Sequence, residues 1–503
     1  MIRKYKLSEE EIRFYRLVSS AAFGNPFSEE WGALVLEISG CSRGAPPPEV
    51  RKGLNDAVTH RLYVMDQPQF RTLESFSGED RDVMEGVYLF EAYYRNIEKF
   101  DHLIQEQIHA GDVSCRVNFG EDILTLLERR GIDHERAVRL FGLFYQIRRA
   151  YYFIDRALLG KSSSMKQLRR QLWNNVFTYD IHLYEKYLYH RMEDFSTIIL
   201  GDTGTGKGTA AVAIGRSGFI PFDDKKNAFV ESFSKVFTAI NLSQFHEQLI
   251  ESELFGHKKG AFTGAIEAHE GVFKRCNRFG AIFLDEIGEV SIPIQIKLLH
   301  VLQDRFFYPV GSHEKQRFSG RVIVATNKSL DQLREKGLFR DDFYYRLSSD
   351  VIIVPSLYDR IKEHPDELDS LIQHFLMELT HEESLELFDL VKGTLKKQLP
   401  PDYNWPGNVR EVEQAIRRIL MTQTYRGDTR RVASDLRQRL LFEFESGDLP
   451  ARDVLSAYCA LLYTKFNNYE EVARKTQLDR RTAKKYVLRW LENQDETDFE
   501  EEN

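Results

Sequence analysis

An apolar run, Phe195-Ser-Thr-Ile-Ile-Leu200, passes without a break into Gly201-Asp202-Thr203-Gly204-Thr205-Gly206-Lys207, and this junction constrains the fold more than any other segment. The run reads as a short buried strand, and the residues from Gly208 and Thr209 to Ile214 can begin a helix. A strand, a glycine-rich turn ending in lysine and a helix, in that order, are the context of a phosphate-binding loop. Glycines let backbone N–H groups turn inward around phosphates, and the helix N-terminus adds partial positive charge. Lys207 is expected to neutralise the outer phosphates. A bare glycine-rich turn is the bland alternative, and the strand–lysine–helix order weighs against it. Gly208 stands where many such loops carry Ser or Thr for magnesium, with Thr209 as the next available hydroxyl.

Further segments supply the chemistry that such a loop needs. Ile282-Phe-Leu-Asp285-Glu286 is a buried strand ending in two carboxylates. Asp285 can hold magnesium through water, and Glu286 can orient and polarise an attacking water. Ala325-Thr326-Asn327 ends another strand and brings an amide toward the γ-phosphate. Phe339-Arg340 to Arg346-Leu347 carries two arginines. Phosphoryl transfer needs such cations, often supplied by a neighbour, although both could instead be surface ion-pair partners. Trp405-Pro-Gly-Asn-Val-Arg410 begins a helix, and Arg410 is expected to reach the nucleotide from a lid. Strands separated by helical segments imply a parallel α/β sheet.

Between the two halves of this ATP site lies Gly260-Ala261-Phe262-Thr263-Gly264-Ala265. Small residues around one aromatic ring and one hydroxyl suit an exposed tip that touches a partner.

The 503 residues are too many for one core. Six segments are expected: a mainly helical regulatory domain at 1–157, an α/β ATPase block at 158–360 and its helical lid at 361–425. A polar linker at 426–450, a helical module at 451–492 and an acidic tail at 493–503 follow. Hydrophobic content of 42% and charged content of 29% describe a soluble globular chain. No apolar run approaches the ~20 residues of a membrane helix. The N-terminus is too charged for a secretory signal. Four scattered cysteines without a CxxC pair argue against a disulfide framework or zinc site and suit a reducing cytoplasm.

In the first segment, Val83, Val87, Phe90, Tyr94, Ile97 and Ile104 share one helical face. A second helix is expected from His134 to Leu159, rich in Phe141, Phe144, Tyr145, Tyr151, Tyr152 and Phe153. These aromatics either line a ligand pocket or, as is commoner at this spacing, form core. An unknown ligand or protein signal is expected to act here.

Near the C-terminus, Ala457–Phe466, Glu470–Thr476 and Arg480–Leu491 read as three helices. Asn467-Asn468 marks the first junction, and Asp479 suits the N-cap of the third helix. Ala483, Tyr486, Val487 and Trp490 form one face. Arg480, Arg481, Thr482, Lys484 and Lys485 lie on the other. This is a helix-turn-helix pattern with a basic recognition helix. Because the chain carries a net charge of −8, any DNA affinity must be local.

The central block resembles the AAA+ domain of the sigma-54 enhancer-binding proteins. The resemblance is carried by GDTGTGK, ESELFGHKKGAFTGA, AIFLDEIGEV, the helix Gln295–Gln303, VIVATN, FRDDFYYRL and WPGNVREVEQ. The C-terminal module is similar to the family's Fis-type helix-turn-helix. The resemblance implies a bacterial transcription activator that binds enhancer DNA and hydrolyses ATP with magnesium as a homo-oligomeric, hexameric ring. Its partner would be sigma-54 RNA polymerase, remodelled from closed to open complex. By position, Asn241 would be the switch asparagine paired with Glu286, Asn327 the first sensor and Arg410 the second. Arg340 and Arg346 would act on the neighbour's nucleotide, and Phe262 and Thr263 would contact the sigma factor. A remodeller of another protein partner is the alternative. The chain departs from the family pattern at Gly208, at Val354–Arg360, at Asn277–Ala281 and in an extension over 177–192.

Overall fold

Nine strands form among the described residues: β1 Thr197–Leu200, β2 Phe222–Asp223, β3 Ala228–Phe229, β4 Phe237–Asn241, β5 Ala281–Asp285, β6 Phe306–Phe307, β7 Gln316–Arg317, β8 Arg321–Thr326 and β9 Asp350–Ile353. The computed structural model describes residues 4–67, 69–427, 451–466 and 468–500. Five strands make one parallel sheet in the order β4-β5-β8-β1-β9. Ile198, Ile199, Ile282, Leu284 and Val322 to Ala325 are buried, as expected for strands covered on both faces. In the register, Leu200 lies beside Thr326, Asp285 beside Ala325 and Asn241 beside Asp285. The carboxyl ends of four strands therefore deliver Gly201, Asn241, Asp285 and Asn327 to one edge, where open parallel sheets bind ligands.

The described residues between 4 and 157 are mainly helical, as the periodicity predicts. Ser8 and Glu11 form a reciprocal capping box on the first helix, and Asp133 caps His134–Ala157 through the Arg136 N–H. The expected single face from Val83 to Ile104 is instead divided between two helices, Glu79–Tyr94 and Ile97–Ala110. Asn96 makes the break: its side-chain amide donates to the Ala92 carbonyl at 2.9 Å, competing with the helix ladder. The apolar spacing survives the break, so both helices face the same core.

These helices share a hydrophobic core with the sheet. Phe141, Phe144, Tyr145 and Phe153 are buried in it, so most of the aromatic stripe is core; Tyr151 and Tyr152 are only half-buried. Arg149 is fully buried and donates to the carbonyls of Arg216 and Gly218 at 2.8 and 2.7 Å. Gln146 donates to the Ser217 carbonyl at 2.9 Å. These carbonyls follow the helix Lys207–Gly215, whose C-terminal end favours a cation. Burial lowers the Arg149 guanidinium to about 10. The extension at 177–192 forms a short helix, Ile181–Leu183, a π-turn over Tyr184–Leu188 and a 3₁₀ turn at Met192–Asp194. Tyr184 within it is fully buried, and Gln146 donates to its hydroxyl at 2.7 Å.

The lid comprises the helices Leu357–Glu363, Glu367–Thr380, Leu385–Gln398 and Asn408–Thr422. Its buried Arg360–Glu367 pair, 2.9 Å apart, grips the segment before Ser163–Phe177: Glu367 accepts from the N–H groups of Lys161 and Ser162.

Residues 1–423 and 424–503 are separate compact units. Most of the expected linker, 428–450, lies outside the described residues, as does Asn467. In the second unit, Ala451–Phe466, Tyr469–Thr476 and Arg480–Glu500 are helices around Cys459, Leu462, Val472, Ala483 and Val487. Asp479 caps the third helix, accepting from the N–H groups of Arg481 and Thr482 at 3.0 Å each. This helix continues to Glu500, through much of the segment expected to be a solvated tail. Among the described residues, no helix is long and apolar enough to cross a membrane.

Candidate functional site

The phosphate loop is shaped by its glycines. Gly201, Gly204 and Gly206 have φ values of 152°, 81° and 106°, a region that favours glycine. At Gly204 a Cβ would stand 2.1 Å from the Gly407 carbonyl oxygen, so the lid backbone rests directly on the loop. Lys207 is buried, and its ammonium donates to the carbonyls of Gly201 and Asp202 at 2.8 and 2.9 Å. Burial lowers the Lys207 ammonium below the ordinary lysine value, opposed by Glu286 and Asp285. Gly208 faces open space, so its lack of a side chain answers no packing need.

The carboxylates stand across from Lys207. Asp285 accepts from the Asn241 side-chain amide at 3.4 Å and from the Glu286 N–H at 3.1 Å. The expected pairing of Asn241 with Glu286 is thus replaced by one with Asp285, because parallel register sets Asn241 beside Asp285. Glu286 has φ 59°, a left-handed backbone that a non-glycine residue adopts at a cost. Its Oε2 is buried without a hydrogen-bond partner among the described residues. Burial, and then the Asp285 carboxylate, raise the Glu286 carboxyl above the ordinary glutamate value; Lys207 acts against this. A desolvated carboxylate held in a strained turn beside an ammonium suits a group that handles a proton or a water.

Asn327 donates to the Thr203 hydroxyl at 2.8 Å, so the end of β8 touches the phosphate loop. Arg410 lies on the lid near the loop, with its Cβ 3.1 Å from a Cβ built at Gly204. Arg340 and Arg346 are elsewhere. The Arg340 guanidinium forms a two-pronged pair with Asp342 at 2.9 and 2.7 Å, and Arg346 donates to the Leu302 carbonyl. Both are partly exposed and neither is bonded to this chain's own phosphate loop among the described residues.

One residue escaped the sequence reading. Asn408, buried at the start of the last lid helix, accepts from the Leu357 N–H at 2.8 Å and donates to the Thr203 carbonyl at 3.0 Å. Its φ of 53° suits asparagine better than most side chains. It lies inside WPGNVRE, where Arg410 drew the attention. Asn408→Ala leaves a buried N–H without an acceptor and puts alanine at positive φ. The expected result is a loss of about 2–3 kcal/mol of stability together with a raised KM for ATP. Denaturant unfolding and steady-state ATP hydrolysis check it; an unchanged KM would separate the lid latch from nucleotide binding.

The Gly260–Ala265 segment is a tight tip on a short two-stranded stem. His257 and His269 exchange both backbone hydrogen bonds at 3.0 Å, and Lys258 donates to the Val310 carbonyl at 3.1 Å. Above them the Gly260 N–H reaches the Ala265 carbonyl at 2.8 Å, with Gly260 at φ 80° and Gly264 at φ 104°. Ala265 is buried, whereas Phe262 is 40% and Ile266 78% exposed. The Phe262 ring meets the His257 ring edge-on at 4.9 Å. His257 is itself fixed, since its Nε2 donates to the Glu267 carbonyl and its Nδ1 lies 2.7 Å from the Ser252 hydroxyl. A rigid stem therefore presents an exposed aromatic ring and the Thr263 hydroxyl.

Comparison with known proteins agrees with this geometry. The sigma-54 interaction domain family matches residues 180–353, and the AAA+ ATPase lid domain family matches residues 362–443. The chain is similar to the sigma54-dependent transcriptional activator SfnR of Pseudomonas putida, 38% identical over 48% of this chain and 60% of SfnR. It is also similar to the DNA-binding transcriptional regulator NtrC of Rhizobium meliloti (strain 1021), 37% identical over 52% of this chain and 47% of NtrC. NtrX from Brucella abortus, solved in complex with ATP, is 19% identical over 74% of this chain and 81% of that one, with a TM-score of 0.39. The chain spans about half the length of the curated relatives it matches. With its phosphate loop, acidic strand end, lid and exposed tip in the matching order, the central block of the chain is similar to a sigma-54 interaction domain followed by an AAA+ ATPase lid domain.

Proposed function

We propose that this protein is an ATP-hydrolysing transcription activator that remodels sigma-54 RNA polymerase from a closed to an open promoter complex. The observation that carries this reading is the exposed Phe262–Thr263 tip, built on the same domain as the glycine loop, Lys207, Asp285 and Glu286. The site fits ATP with magnesium: three glycines at positive φ would cradle phosphate, Lys207 would supply charge, and Glu286 Oε2 has no hydrogen-bond partner among the described residues. Asp285 would hold the metal, which would neutralise phosphate charge when bound. Glu286 orients the attacking water and takes up its proton. Asn327, bonded to Thr203, and Arg410, above Gly204, register the phosphate end of the nucleotide.

Arg340 and Arg346 are partly exposed and bonded away from their own phosphate loop, which supports a role at a neighbouring subunit's nucleotide in a hexameric ring. The Asn241–Asp285 contact supports a switch in which Asn241 exchanges partners as the nucleotide changes state. In the C-terminal unit, Arg481, Lys484 and Lys485 are exposed on the third helix, while Arg480 pairs with Glu470 at 3.1 Å and Thr482 belongs to the Asp479 cap. This basic face would bind upstream DNA. A photo-crosslinking residue at Phe262 is the test of partner identity. It is expected to capture sigma-54 from the purified polymerase holoenzyme when ATP or a transition-state analogue is present. Capture of the core subunits alone, or of nothing, would exclude sigma-54 as the target.

A further inference from the structure

A cavity of about 420 Å³ opens among the N-terminal helices, and none of its walls belongs to the phosphate loop or lid. Its volume falls within the 300–1,000 Å³ usual for small organic ligands. Well-packed interiors leave few such spaces, because each unfilled void forfeits contacts. Trp31, Tyr93, Tyr94, Tyr151 and Trp173 supply flat apolar walls. Two of the polar side chains around it are engaged within the protein. The Trp31 indole N–H donates to the Ala21 carbonyl at 3.0 Å, and Arg148 is paired twice with Asp101 at 2.5 and 2.7 Å.

Arg51 is different. It lines the cavity, is half-buried, and makes no hydrogen bond or ion pair among the described residues. Arg51 shares the cavity wall with Tyr94 and Tyr151. Aromatic walls favour a ring in offset or edge contact, and an unpaired guanidinium favours a carboxylate. We propose that this cavity binds an aromatic monocarboxylate, with its ring among Trp31, Tyr94, Tyr151 and Trp173 and its carboxylate on Arg51.

The cavity is also wired to the sheet. Trp173 lies two residues before Asn175, whose amide donates to the Thr197 hydroxyl at 3.0 Å and to Asp350 at 2.6 Å. Arg321, lowered to about 10 by burial, donates to the same Asn175 at 2.9 Å. Thr197 opens β1, which ends at the phosphate loop. Arg148, at the cavity wall, is next to Arg149, which grips the carbonyls after the helix Lys207–Gly215. A ligand that moves Trp173 or Arg148 therefore biases ATP turnover. This last step rests on the ATPase reading above, whereas binding does not.

Two of the four tryptophans, Trp31 and Trp173, line the cavity, so tryptophan fluorescence reports its occupancy. The full chain is titrated with benzoate, 1-naphthoate and 4-phenylbutanoate by fluorescence and calorimetry, with 4-phenylbutanamide as the neutral control. Saturable binding of at least one acid is expected. Arg51→Gln, at a residue with no hydrogen bond or ion pair among the described residues, should weaken that acid about tenfold or more and leave the amide unchanged. Gly32→Leu, at a cavity-lining position facing open space, should abolish both. No saturable binding of any acid, or equal binding by Arg51→Gln, overturns the proposal. If the acid binds but ATP turnover is the same with and without it, the coupling falls and the site stands. If the chain hydrolyses no ATP, the ATPase reading falls while the binding result is unaffected.

Discussion

Glu286→Gln should reduce ATP turnover about a thousandfold while leaving nucleotide binding close to wild type. Glutamine keeps the size of the side chain but cannot take a proton from water. The position is already specialised: the backbone is left-handed, one carboxylate oxygen has no hydrogen-bond partner among the described residues, and burial with Asp285 raises the carboxyl above its ordinary range. Those features cost stability and cluster at groups that do chemistry. Lys207→Ala should differ in kind. It removes the buried ammonium that faces both carboxylates, so nucleotide affinity itself should fall. Phosphate release at saturating ATP, beside a nucleotide-binding titration, separates the two variants. Normal turnover in Glu286→Gln would take that residue out of the reaction.

Thr263→Ala should do the opposite. ATP hydrolysis should stay within about twofold of wild type, because among the described residues no hydrogen bond or ring contact joins the tip to the nucleotide site. Open-complex formation should fall about thirtyfold or more, the loss of ~2 kcal/mol typical of a central contact residue. Folding should be unaffected, since Thr263 is exposed and the tip is closed by backbone hydrogen bonds from Gly260 and Ala265. Comparable loss of both activities would mean that the tip supports the ring rather than the partner.

The features legible in the sequence are those made by neighbours along the chain. A strand followed by GDTGTGK, an acidic strand end and an Asp479 cap are local patterns, and each appears where expected. The buried runs at β1, β5 and β8 were readable because central parallel strands are apolar throughout. The edge strands β4 and β9 were not singled out as strands; Thr238 and Ala239 in β4 are only partly buried or exposed, and Ile353 in β9 is 65% exposed.

What stayed hidden depends on residues far apart. Arg149 looks like one more helix arginine until Arg216 and Gly218 supply its acceptors. The N-terminal helices read as a separate domain, yet they complete the same core as the sheet. The break at Asn96 was masked because the apolar spacing runs through it. Asn408 bonds across the lid to Thr203, a partner that no spacing rule reaches. The aromatic stripe was both things at once: Phe141 and Tyr145 are core, while Tyr151 faces a cavity.

The most direct test of the account is open-complex formation by the purified full chain on a sigma-54 promoter carrying its binding site. Strand opening would be read with ATP, with a non-hydrolysable analogue, and with the Thr263→Ala and Glu286→Gln variants. The account predicts opening only with ATP and only by the unmodified chain. Opening with the analogue, or by Glu286→Gln, would contradict the claim that hydrolysis drives the remodelling; no opening by a chain that hydrolyses ATP normally would contradict the choice of sigma-54 polymerase as its target.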